Sequence, residues 1–442
     1  MRVRFSVVMS ALCLSLVAPS DAIAQSGCVL LEGATVWLPQ GESAPSTVLV
    51  QDEKIVSVTA PGTTVKVPDG CERVDGSGQI LTPGFVDPYT QLGLVEVGME
   101  AASRDHSPGA GTVGKLSTRP SFRVWPAYNP RSTLIPIARS GGVTGVLAAP
   151  RGGRVSGQSV WVDLIEPTPY AADALPEPSP EKSAGQVPPD AVAIHVHLGA
   201  NDGSRAEAHW DLELLLEEAR VWSERRSQWE RNQHRAFRFP ASELEAMQPI
   251  LDRTRILAVH AERATDIEGA LKACSGLRCV LVGGAEAWIL AERLAQSGVT
   301  VVLDPLLNAP ESFDRLQARP DNAAILADAG VQVALSTFSS HNVRTLRQGA
   351  GNAVRAGLSQ RAARMAVTEI PANAFGRTQR GRIAPGAVAN LVLWSGDPFE
   401  FSSEVKRMWI RGAGVDLSSR QTRLRDRYRK LPGTPSSALP LP

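Results

Sequence analysis

The sequence predicts an α/β protein: a closed (β/α)8 barrel of the TIM type, with β-rich segments at both chain ends. Three observations lead there. Between residues 83 and 379, strand-like apolar runs alternate with stretches of helical periodicity, as parallel strands joined by crossover helices require. Residues 25–82 and 380–417 read as short strands punctuated by Gly, Pro and Asp. A chain of 442 residues, 43% hydrophobic, has room for one large domain and a smaller one and is too apolar to be mainly disordered.

The N-terminus carries Arg2 and Arg4, an apolar run from Phe5 to Ala18, and small residues at Ala22-Ile23-Ala24. That order is the pattern of a secretory signal peptide covering residues 1–24, and the apolar run is shorter than the ~20 residues of a membrane span. The expected location is therefore outside the cytoplasm, periplasmic or extracellular, with no stable membrane insertion after cleavage. A lipidated Cys28 is disfavoured by Gln25 in place of an aliphatic residue. With 46 basic against 45 acidic residues, there is no long-range field to attract nucleic acid.

Loss of Cys13 with the signal leaves Cys28, Cys71, Cys274 and Cys279, an even count that suits an exported protein with disulfides. Cys28 and Cys71 share the N-terminal β-rich segment, and Cys274 and Cys279 enclose a short turn, so the expected pairs are Cys28–Cys71 and Cys274–Cys279. Small buried thiols are the alternative. Within 25–82, strands are expected at Cys28–Leu31, Thr35–Leu38, Ser46–Val50 and Lys54–Val58.

Barrel strands are expected at Val143–Ala149, Val192–His197, Ile256–His260, Val280–Val282, Val299–Leu303 and Val331–Leu335. Helical periodicity falls at 244–251, 267–273, 287–295 and 346–356. Two stretches interrupt the alternation. Residues 166–190 hold seven prolines and should form a surface excursion. Residues 205–239 set Trp210, Leu214, Val221 and Trp222 at helical spacing, with Glu218 breaking the face; they read as an amphipathic helix across the barrel, or as a lid. Residues 388–394 and 405–410 return to β character. Residues 418–442 form a tail, poorly ordered beyond a short helix.

The run Ile80-Leu81-Thr82-Pro83-Gly84-Phe85-Val86-Asp87-Pro88-Tyr89-Thr90-Gln91 resembles the opening of the amidohydrolase superfamily barrel, where P-G-F-x-D precedes H-x-H. Val259-His260-Ala261, Ala334-Leu335-Ser336 and Gly381–Gly386 leading into Ala389–Trp394 follow in family order. The flavour is that of the secreted, imidazolonepropionase-like branch. The resemblance implies a barrel flanked by a small β-sandwich built from both chain ends. It also implies one or two divalent metals at the barrel mouth that convert water to hydroxide, with an aspartate taking the proton.

The positions that the resemblance assigns to that chemistry are largely replaced. The H-x-H falls on Tyr89 and Gln91, the strand-4 lysine on His195, and the strand-5 histidine on His260. The strand-6 histidine falls on Gly283 and the strand-8 aspartate on Phe338, which cannot accept a proton. The standard metal centre is expected to be absent.

Other chemistry at the mouth rests on individual residues. His195 and His197, two apart on a strand, point to one face. Facing inward with His260, they could make a three-histidine zinc site; otherwise they are packed, hydrogen-bonded interior residues. Tyr89, Gln91, His195 and His260 together would suit a small polar ligand without metal. Glu262 is a candidate general base or a solvated loop carboxylate, and Asp304 a strand-end catalytic or capping group. Glu286 reads as a helix cap, and Gly283-Gly284 as a weak anion site. Arg151–Ser159 reads as a loop over the mouth whose arginines could pair with a carboxylate ligand. Asp105-His106 and Asn129–Ser132 have no assigned chemistry. No serine has a nucleophile-elbow context.

The leading expectation is an exported amidohydrolase-superfamily protein with a degenerate metal centre, binding a small polar ligand at the barrel mouth and needing no cofactor. The alternative is a hydrolase of amide or cyclic amide C–N bonds that uses zinc at His195, His197 and His260. A third is a structural subunit that forms a homo-oligomer or pairs with an active paralogue. The natural substrate is not legible in the sequence.

Overall fold

The computed structural model describes residues 27–39, 41–60, 62–63, 65–107, 118–165, 191–199, 203–306 and 309–429. The expected signal peptide, the proline-rich stretch 166–190 and the end of the tail lie outside them. Among the described residues, no helix is long and apolar enough to cross a membrane.

The N-terminal strands are β1 (Cys28–Leu38), β2 (Gly41–Gln51), β3 (Lys54–Thr59), β4 (Glu72–Asp75) and β5 (Ile80–Pro83). Next come β6 (Phe85–Thr90), β7 (Val143–Ala148), β8 (Val155–Asp163), β9 (Ala191–His197), β10 (Ile256–Ala261), β11 (Cys279–Gly283), β12 (Thr300–Leu303) and β13 (Val333–Leu335). The chain closes with β14 (Leu391–Trp394), β15 (Val405–Ile410) and β16 (Ala413–Gly414).

Both chain ends build one sheet, in the order β16-β15-β14-β5-β1-β2-β3, with β4 also on β1. This replaces the expected sandwich of two packed sheets by one continuous sheet. The central strand β1 is buried on both faces, which explains its nearly unbroken apolar run. Val29, Leu31, Ala34 and Val36 pack with Val48, Val50 and Leu391 on one side. Cys28 and Leu30 pack with Leu49, Val65, Val67 and Cys71 on the other. Cys28 is disulfide-bonded to Cys71, and Cys274 to Cys279.

Strands β6 to β13 form the second sheet, in sequence order. Seven of its strands run parallel, but β8 is antiparallel to both β7 and β9. The expectation of eight parallel βα units is therefore corrected at one strand, and the reason is local. Only Ala149-Pro150-Arg151-Gly152-Gly153-Arg154 joins β7 to β8, too short for a crossover helix, so the chain must fold straight back. Gly152 and Gly153 supply the turn with φ of 96° and 73°. The stretch read as a loop over the mouth is thus a turn followed by a strand.

The edge strands β6 and β13 meet through side chains rather than a backbone ladder. Ser336 Oγ donates to an Asp87 carboxylate oxygen at 2.5 Å, Thr337 Oγ1 donates to the other at 2.5 Å, and Thr90 Oγ1 donates to the Ser339 carbonyl at 2.7 Å. The result is a nearly closed barrel. Its interior holds Val86, Tyr89, Ala193, Ile256, Ala258, Val280, Val302, Ala334 and Phe375.

The segment 205–239 contains a helix, Arg205–Glu230, that is kinked at Arg225, where φ is -123° and ψ 16°. Its buried stripe is Ala208, Leu212, Leu215, Ala219 and Trp222, recurring every three or four residues, whereas Trp210 is half-exposed. Glu218 lies on the buried face, where it was expected to interrupt the apolar stripe, and its carboxylate accepts the backbone N–H groups of Arg238 and Phe239. Arg154 ties this helix to the start of β8 through Glu207 and Asp211.

Candidate functional site

Alternation along β9 sends Ile194 and Val196 to the outer helices and Ala193, His195 and His197 to the barrel interior. Along β10, His260 follows Ile256 and Ala258 on the same inner face. The parallel register pairs His260 with His197 and Ala258 with His195. Three imidazoles are therefore stacked at the C-terminal ends of two neighbouring strands. His195 Nδ1 and His260 Nε2 are 2.9 Å apart and hydrogen-bonded. His197 lies flat against His260, with ring centroids 4.1 Å apart, and its Nε2 is bonded to Ser156 Oγ at 2.8 Å.

Tyr89, at the end of β6, meets the cluster from across the barrel. Its ring lies edge-on to His260 at 4.7 Å and to Phe338 at 5.1 Å. Tyr89, Gln91, His195 and His260 thus converge on one end of the barrel. Gln91 is buried, and its Nε2 has no hydrogen-bond partner; the same is true of His195 Nε2.

The electrostatics of this corner favour neutral rings. Burial pulls His195 down to about 3, helped by His197. Burial and then Arg151 pull His197 down to about 4. Burial, the other two histidines and Arg151 hold His260 well below the usual imidazole range. Burial pushes the Tyr89 phenol up to about 12, against the opposing pull of Arg151. Arg151 also acts on His106, whose carbonyl accepts the Arg151 N–H at 2.9 Å. The turn between β7 and β8 thus brings a permanent cation to the imidazoles.

The two replaced positions on β11 and after β13 have structural explanations. Gly283 has φ of 102°, and a Cβ there would lie 2.9–3.0 Å from the Glu262 carboxyl group. The space of the missing side chain is therefore filled by Glu262. That carboxylate accepts Arg315 Nη2 at 2.6 Å and the Ala285 N–H at 3.0 Å, so it is an ion-paired group rather than a solvated one. Phe338 sits in the left-handed region with φ of 51°, uncommon for an aromatic residue and found where the surroundings over-determine the backbone.

Glu262, Asp304, Arg315 and Phe338 line a small cleft with a cavity volume of about 30 Å³, and none of the three histidines lies on its wall. Asp304 accepts the Leu306 N–H at 2.8 Å and so shapes the turn after β12. Glu286 caps the helix Ala264–Ala273, where its carboxylate accepts the Ala264 N–H at 3.0 Å. The Gly283-Gly284 turn, a weak candidate for an anion, does not offer it the Gly284 N–H, which is bonded to Ala261 O at 2.7 Å.

Asp87 escaped the sequence reading, although it lies inside the very motif that carried the resemblance. It is fully buried and accepts Ser336, Thr337 and the backbone N–H groups of Tyr89 and Thr337. Burial still outweighs these donors and pushes its carboxyl up to about 6. Arg151 and Ser156 were also missed as partners of the histidines, because only the hairpin geometry brings them near.

A metal ion does not fit the donor set that converges here. Among the described residues, no three His, Cys, Asp or Glu side chains are placed to hold one. The facing nitrogens of His195 and His260 satisfy each other, and His197 Nε2 is bonded to a hydroxyl. Among the described residues, no carboxylate joins the imidazoles in such a group to offset a dication, and the positive Arg151 beside them would repel it.

Residues 241–416 match the family model described as "Amidohydrolase family". The chain is 36% identical over 106 residues to "Amidohydrolase tasK" of Hapsidospora irregularis, a stretch that is 22% of this chain and 11% of that protein. The chain thus aligns with only about a tenth of the length of that curated relative. Among solved structures, an amidohydrolase from Thermotoga maritima MSB8 is similar at 25% identity and a TM-score of 0.73, covering 88% of this chain and 99% of that one. Molinate hydrolase shares the fold at 15% identity and a TM-score of 0.51, covering 94% and 98%. Residues 241–416 thus match the amidohydrolase family model, on a fold that the Thermotoga maritima amidohydrolase shares.

Proposed function

We propose that this is an exported amidohydrolase-fold protein that binds a small polar ligand at the barrel mouth without a metal ion. The observation that carries it is the direct His195–His260 hydrogen bond beside Arg151, a neutral imidazole pair in a positive field where the family places its metal. Tyr89, Gln91 and the histidines offer a ligand hydrogen-bonding groups, and Phe338 and the neighbouring cleft offer it a wall. Export rests on the pattern of residues 1–24 and accords with the two disulfides.

A second reading, hydrolysis of a C–N bond, draws on the similarity to amidohydrolases and on three imidazoles gathered at adjacent strand ends. Elemental analysis of protein purified without chelator and then dialysed against zinc separates the two. The proposal expects no stoichiometric zinc and no dependence of thermal stability on zinc. One zinc held per chain, and released by His260→Ala, would overturn it in favour of the hydrolase.

A further inference from the structure

The helix Arg420–Arg429 follows the last strand of the small sheet and buries none of its residues. Its start is fixed by Ser419, whose Oγ accepts the Thr422 N–H at 3.1 Å. Its 10 residues hold five arginines against one acidic group, Asp426, in a chain whose formal net charge is only +1. Helix stability does not account for this pattern. Arg423 and Arg427, like Arg425 and Arg429, are four residues apart, a spacing at which equal charges repel. Nor does packing account for it, since no face is buried and isolated helices shorter than about 12–15 residues are marginal in water.

The helical period sorts the side chains. Leu424 and Tyr428, four apart, form an apolar stripe that is 40% and 58% exposed. Arg420 and Arg427 flank the stripe on one side and Arg425 on the other, while Asp426 falls on the opposite face. Arg425 is paired with Asp426 at 2.8 Å, and the Arg427 guanidinium lies 5.7 Å from the Tyr428 ring centroid. Asp416 is held below the usual carboxylate range chiefly by its hydrogen bonds with Ser418, and Arg423 adds to them. Among the described residues, Arg420, Arg427 and Arg429 have no carboxylate partner.

We propose that the helix Arg420–Arg429 docks on an anionic lipid surface, with Leu424 and Tyr428 set into the headgroup layer and the flanking guanidiniums on lipid phosphates. Charge complementarity calls for an anionic partner. The apolar stripe between arginines favours a lipid interface over a nucleic acid, which would engage the charges and leave the leucine in water. The balanced charge of the whole chain does not oppose the contact, because exposed charges more than about 10 Å away are screened at ordinary salt. The helix shares no residue with the barrel mouth, so the inference stands whether or not the mouth binds a ligand.

The test is co-sedimentation of the purified protein with vesicles of phosphatidylcholine alone and of equal parts phosphatidylcholine and phosphatidylglycerol, at about 0.1 M and about 1 M salt. It is repeated on the triple variant Arg420→Gln/Arg427→Gln/Arg429→Gln and on Leu424→Ser; all four positions are exposed, and circular dichroism checks that both variants fold. The expected result is retention on the anionic vesicles at the lower salt only, weakened about tenfold or more by the triple variant and less by Leu424→Ser. Absence of retention, equal retention on the neutral vesicles, retention unchanged in the triple variant, or tighter binding of a DNA duplex than of the anionic vesicles would each overturn the proposal.

Discussion

The barrel carries two buried polar regions, the seam at Asp87 and the mouth at the histidines, and they treat their polar groups differently. At the seam the carboxylate is surrounded by donors: two hydroxyls and two backbone N–H groups bond to Asp87. At the mouth His195 Nε2 and Gln91 Nε2 are buried with nothing to bond. A saturated polar group fixes structure, whereas an unsaturated one at the open end of a barrel is ready for a ligand. The two regions also titrate in opposite senses. The Asp87 carboxyl is pushed up to about 6, while His195 and His197 are pulled down to about 3 and about 4.

The largest effect expected from breaking this contrast is at the seam. Asp87→Ala removes the acceptor from Ser336 and Thr337 and opens the line between β6 and β13, so it should cost about 3 kcal/mol or more in chemical denaturation. Gln91→Leu at the mouth, which removes an unpaired donor, should cost less than about 1 kcal/mol or stabilise. Equal losses at the two positions would erase the distinction.

A smaller effect appears in the pH dependence of stability. Asp87 has a raised pKa in the folded state, so its contribution is present below the unfolded value and is lost as pH rises through about 6. The histidines have depressed folded values. The unfolded chain takes up protons as pH falls through about 6.5 while the folded chain does not, so their contribution is lost on acidification. Between these limits the two oppose. Thermal melts from pH 4 to pH 7 should show a steeper acid loss in Asp87→Asn and a shallower one in His197→Gln. Slopes unchanged from the parent protein would mean that neither group is buried as described.

Much of the architecture was legible from the chain because it is written in periodicity. The strands at 143–148, 191–197, 256–261 and 279–283 are short apolar runs between Gly, Pro or polar punctuation, and the chain could bury them only in a sheet. The antiparallel β8 was not legible, since nothing in Val155–Asp163 distinguishes its direction; the shortness of the preceding Gly-Gly turn does. The apolar face of the helix Arg205–Glu230 was misassigned because Trp210 is apolar by type yet lies under the Arg238 guanidinium at the surface, 4.5 Å from ring centroid to Cζ.

At the site, alternation placed His195 and His197 on one face but left open which one, because that depends on the partner strands. The ion pair that occupies Glu262 and the approach of Arg151 to the imidazoles involve residues 53 and more than 40 positions apart. No local pattern encodes such separations.

The central claim is that the imidazoles at the barrel mouth are neutral, bonded to each other and indifferent to metal. Nitrogen-15 NMR of the histidine side chains, recorded during a pH titration with and without added zinc, tests it most directly. The account predicts a His195 ring that stays neutral down to at least pH 5, a His260 ring that takes up its proton only well below the usual imidazole range, a shared N–H···N signature, and no shift when zinc is added. Protonation of either ring near pH 6.5, or a zinc-induced shift of both facing nitrogens, would contradict it.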